Sequence, residues 1–78
     1  MWIKSDNVIC RTDEFSRFYI EELPSGSFGI FGKQSDEISV VLGYYRDIRR
    51  AMEVFDDFYA ALNRGDKAFT MPKSDGEW

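Results

Sequence analysis

Two tyrosines, Tyr44 and Tyr45, lead into three arginines, Arg46, Arg49 and Arg50, at the junction where a strand-like pattern gives way to a helical one. Those residue types suit one chemistry in particular. A guanidinium grips phosphate with two parallel hydrogen bonds, and the first turn of a helix adds unpaired N–H groups and a positive dipole end. A tyrosine ring beside them can stack on a base. Trp2 and Phe31 fall on the same side by strand alternation, so the candidate ligand-binding set is Arg46, Arg49, Arg50, Tyr44, Tyr45, Trp2 and Phe31. A solvated reading stands beside this one. A cation in the first turn opposes the dipole by about 0.3–1 kcal/mol. In that reading Asp47 caps the helix, Arg49 pairs with Glu53, and Arg46 and Arg50 sit in water.

The rest of the composition removes most catalytic chemistry. The 78 residues contain no histidine, hence no imidazole base, proton shuttle or metal ligand, and the single Cys10 supports neither a thiolate zinc cluster nor an internal disulfide. The adjacent acids Glu21-Glu22 and Asp56-Asp57 diverge on a strand or helix rather than converging on a substrate or cation. Gly26, Gly29, Gly32 and Gly43 fit turn and strand positions and match neither a dinucleotide nor a triphosphate loop. The reading is therefore of a non-enzyme with no catalytic residue, metal or cofactor. Ten basic against fourteen acidic side chains, a net charge of −4, argue against broad binding to nucleic acid or to an anionic membrane. With no signal-peptide or spanning pattern and Cys10 read as a core residue, a reducing, cytoplasmic setting is expected.

The elements that must position the junction follow from the pattern. Residues 1–5 and 8–11 read as extended, with Ser5-Asp6-Asn7 a turn between them and Thr12-Asp13-Glu14 a bend after them. Phe15 to Leu23 and Phe28 to Lys33 form a hairpin about the turn Pro24-Ser25-Gly26-Ser27, and Glu37 to Tyr45 is the next strand, after Gln34-Ser35-Asp36. Beyond the Asp47 cap, Ile48, Ala51, Met52, Phe55, Phe58, Tyr59 and Leu62 make an apolar stripe that Gly65 terminates. Ala68 to Met71 adds an edge strand ended by Pro72. The expected fold is α+β: one antiparallel sheet of four to five strands with a single C-terminal helix packed on one face, in two layers. Residues 1–72 form the domain, and 73–78 a mobile tail.

Alternation places Ile3, Phe18, Ile20, Phe28, Ile30, Ile38, Val40 and Leu42 toward the helix, and Trp2, Tyr19, Phe31, Val41 and Tyr45 on the opposite face. One helix covers one face. With two Trp, four Tyr and seven Phe, the chain holds more aromatic surface than one small core needs, so the uncovered face points to a homo-oligomer.

Met1-Trp2-Ile3-Lys4-Ser5, Leu42-Gly43-Tyr44-Tyr45, the helix residues Ala51 and Val54, and Phe69-Thr70-Met71-Pro72 resemble a family of very small, mostly uncharacterised proteins of Firmicutes and their phages. Relatives typically carry Thr or Ser where Asp47 stands, often an acidic residue at Tyr44, and Lys or Glu at Arg49 and Arg50, which makes the arginine cluster particular to this chain. The resemblance implies a phage or mobile-element setting, hence the cytoplasm of a host cell, and no catalysis. Two functions follow. In the first, the protein sequesters a nucleotide-derived signalling molecule of host immunity in pockets between subunits. In the second, it docks on a host protein through its aromatic sheet face or through the acidic helix face of Glu53, Asp56 and Asp57.

Overall fold

The computed structural model describes residues 1–6 and 8–78, so the Asn7 part of the first expected turn lies outside the described residues. Strands β1 (Trp2–Ser5) and β2 (Val8–Arg11) form an antiparallel hairpin. A 3-10 turn over Thr12–Glu14 leads to β3 (Arg17–Glu22), β4 (Phe28–Lys33) and β5 (Ser39–Tyr45), then helix α1 (Ile48–Arg64) and β6 (Ala68–Thr70).

The fold is α+β, but the single sheet of four to five strands is corrected to two sheets of three, ordered β2-β1-β6 and β3-β4-β5. Two local features separate them. The Thr12–Glu14 turn, closed by Glu14 accepting from Arg11 N at 2.7 Å, redirects the chain between β2 and β3. The helix then carries the chain from β5 across to the other sheet, where β6 joins β1 in parallel. Buried Ser5 bridges the sheets by donating its hydroxyl to the Leu42 carbonyl.

The helix packs against both sheets. Phe58, 1% exposed, meets Phe18 edge-on with ring centroids 4.9 Å apart and Phe69 at 5.4 Å. Around it lie Ile3, Ile30, Leu42, Ala51, Val54 and Met71. Cys10 is in this core as expected, and burial, with Glu14 second, pushes its thiol pKa up. Both ends of α1 form as the sequence indicates: Asp47 accepts from Arg49 N at 2.8 Å, and Gly65, at φ 73°, donates to the carbonyls of Ala61 and Leu62.

Three side-chain placements differ from strict periodicity. Tyr45 is not on the outer face but fully buried on the core side, because β5 carries a bulge: Ile30 pairs with Gly43 and Phe31 with Val41, leaving Leu42 extra and shifting the alternation by one residue. Ile38 precedes β5 and is 53% exposed, since the 34–38 turn is closed by hydrogen bonds between Ile38 and both Gln34 and Ser35. The helical stripe also divides. Ala51, Val54, Phe58 and Ala61 are buried, whereas Ile48, Met52, Tyr59 and Leu62 are exposed. Among the described residues no helix is long and apolar enough to cross a membrane.

Candidate functional site

Three of the seven expected binding residues, Arg46, Tyr44 and Phe31, are drawn toward two neighbouring places, and four are not. Trp2 belongs to the other sheet, where Arg11 stacks over its ring at 5.6 Å. Tyr45 is in the core, its hydroxyl donating to the Pro72 carbonyl at 2.7 Å. Arg50 pairs with Glu53 one turn along the helix, taking the partner expected for Arg49. Arg49 instead lies 3.8 Å from Asp47, with its side chain 90% exposed.

Arg46 differs from these two. Among the described residues its guanidinium has no carboxylate within the 4 Å of an ion pair, while its backbone N–H donates to Asp75 Oδ1 at 3.0 Å. It lines a cleft of about 230 Å³ with Ser25, Gly26, Ser27 and Glu77. The β3–β4 turn forms one wall. Gly26 adopts φ 91°, a conformation open to glycine, and its N–H donates to the Leu23 carbonyl at 2.9 Å.

Residues 73–78, expected as a mobile tail, form the other wall and run back along the outer face of β3-β4-β5. The N–H groups of Asp75 and Gly76 donate to the Tyr44 carbonyl at 3.2 Å, and Tyr44 N donates to Ser74 Oγ at 3.0 Å. Glu77 is fixed at both backbone ends, its carbonyl accepting from Ser25 Oγ at 2.7 Å and its N–H donating to Ser27 Oγ at 2.9 Å. Ser27 thereby keeps its own hydroxyl proton for another acceptor.

Beside the cleft the closing segment lays Trp78 on the sheet. Its ring is stacked with Tyr44 (centroids 6.3 Å, planes 14° apart) and tilted toward Phe31, which Tyr19 covers from the other side at 5.4 Å. Phe31 is thus on the outer face, as alternation places it, yet only 7% exposed. Trp78 remains 64% exposed and presents an open ring face.

A cation, a free hydroxyl and a flat aromatic surface together can hold a phosphate-bearing ring compound, with the phosphate in the cleft and the ring against Trp78. Glu77, which lines the same cleft, brings a negative charge that opposes a bound phosphate. The volume is below the ~300–1,000 Å³ of an enclosing ligand pocket, so the cleft suits the anionic part of a ligand alone. Sequence reasoning missed Ser25, Ser27, Glu77 and Trp78. The signal available was a tryptophan six residues beyond Pro72, an apolar group that a purely solvated tail has no need of. Among the described residues no cluster of carboxylates and thiol suited to a metal occurs. In comparisons with protein-family models, curated proteins and solved structures, nothing matches this chain.

Proposed function

We propose that this protein binds a phosphate-bearing, nucleotide-derived ligand at the Arg46 cleft and holds it without transforming it. One observation carries the reading: of the three junction arginines, Arg46 alone has a guanidinium with no carboxylate at ion-pair distance among the described residues, and it lines a cleft beside the Tyr44 and Trp78 rings. The resemblance to phage proteins supplies the setting, in which the ligand class is a signalling nucleotide of host immunity and the effect is its sequestration. Arg49 and Arg50, offset by Asp47 and Glu53, take no part in gripping the ligand.

The test is capture and release. Purified protein is incubated with cyclic di- and trinucleotides and ADP-ribose derivatives, then removed, and chromatography of the remainder shows which compound is depleted. A captured ligand returns chemically unchanged after the protein is heat-denatured. Depletion of none of them at tens of micromolar protein overturns the reading, and return of an altered compound overturns its non-catalytic part.

Docking on a host protein is the second reading, and the structure bears on its two surfaces differently. The aromatic sheet face is occupied by Trp78. Asp56 and Asp57 are exposed beside Glu53 on the helix, which favours the acidic face as the docking surface.

A further inference from the structure

Helix α1 carries more apolar surface than its own sheets cover. Ile48, Met52, Phe55, Tyr59 and Leu62 follow one another at intervals of four, three, four and three residues, the spacing of a helix–helix seam. They form a row roughly 100° around the helix from the buried row of Ala51, Val54, Phe58 and Ala61. Phe55 is half-buried against the core, and the other four are 39%, 51%, 62% and 36% exposed, in chain order. The closing segment 73–78 does not cover this row, because it lies on the opposite face of β3-β4-β5.

We infer that this row is the contact between two copies of the chain, paired through antiparallel α1 helices about a two-fold axis at Phe55. The row is nearly symmetric about that residue, with Ile48 seven positions before it and Leu62 seven after, so an antiparallel copy sets Ile48 against Leu62 and Met52 against Tyr59. The helix dipoles favour the same orientation: a parallel pair would set the two positive ends side by side, whereas the antiparallel pair sets each helix start beside the carbonyl end of the other.

The area fits a weak dimer. With only four residues between 36% and 62% exposed, the row is smaller than the ~1,600 Å² of a standard interface and falls at the weak, transient end. Asp56 borders the middle of the row and faces its own copy, which weakens the pair further. The row is separate from the Arg46 cleft, and the inference does not depend on any ligand.

Sedimentation over roughly 1–500 μM protein, in the micromolar affinity range suited to such an area, is the test. The wild-type mass is expected to rise from 9.1 kDa toward twice that value, Asp56→Asn to shift the midpoint to lower concentration, and the Met52→Lys, Tyr59→Lys double variant to stay monomeric with an unchanged circular dichroism spectrum. A wild type that remains monomeric throughout, or a folded double variant that associates as the wild type does, overturns the inference. In a Cys10→Ala background, a mixture of Ile48→Cys and Leu62→Cys chains is expected to form the mixed disulfide in preference to either like pair. Preference for like pairs overturns the antiparallel arrangement.

Discussion

Tyr45 lays its ring across Gly43, two positions earlier on the same strand face, so closely that a Cβ at Gly43 would stand 2.7 Å from the tyrosine oxygen. The ring cannot swing aside, since it is fully buried and its hydroxyl is held by the Pro72 carbonyl. Gly43→Ala is therefore expected to cost about 1–3 kcal/mol, from overpacking rather than backbone strain. Thermal unfolding of the variant measures this, and an unchanged midpoint would show that the core has slack at this position.

The same hydroxyl gives an alkaline signature. Burial raises its pKa from 10 to about 12, with Asp6 and Asp75 adding to the rise and Arg50 opposing it. The folded state keeps a proton that the unfolded chain releases near pH 10, so this contribution is complete below that pH and is lost as pH climbs toward 12. Tyr45→Phe is expected to lower stability by about 1 kcal/mol at neutral pH through loss of the hydrogen bond, and to flatten the decline between pH 10 and 12. Denaturant unfolding at stepped pH distinguishes the two proteins.

Trp78 anchors the closing segment, and its removal should loosen the segment more than the fold. In Trp78→Ala the amides of Asp75 and Gly76, both bonded to the Tyr44 carbonyl, are expected to exchange faster with solvent, while those of α1 keep their protection. Equal protection of residues 75–76 in both proteins would mean that the serine contacts hold the segment without the ring.

At the helix start, the cap matters more than the ion pairs. Asp47→Ala removes the acceptor for Arg49 N and is expected to cost about 1 kcal/mol. Arg50→Ala breaks a largely exposed pair with Glu53 and is expected to change stability by less than about 0.5 kcal/mol. Urea midpoints in the reverse order would contradict this.

Local signals carried the helix, its two ends and the β3–β4 hairpin, because Asp47, Gly65 and the Pro24–Ser27 turn act within a few residues of themselves. The split into two sheets was not legible, since the parallel pairing of β6 with β1 joins residues more than sixty positions apart and depends on where the helix sets the chain down. Tyr45 was misplaced because a bulge is defined by a strand's partner, and Leu42 looks like any other apolar strand residue. The candidate site divides the same way. Arg46 stood out by type and position, whereas Ser25 and Ser27 meet Glu77 only across gaps of 52 and 50 residues.

Opposite responses at Arg46 and Glu77 test the proposed sequestration most directly. Equilibrium binding of the same cyclic nucleotides and ADP-ribose derivatives is measured for the wild type, Arg46→Ala and Glu77→Gln. Loss of a guanidinium–phosphate contact, about 1.5–3 kcal/mol, should weaken capture at least tenfold in the first variant. Removal of the negative charge of Glu77, a residue that lines the cleft, should strengthen it in the second. A ligand bound equally well by the wild type and Arg46→Ala, or no capture by any of the three proteins, would contradict the account.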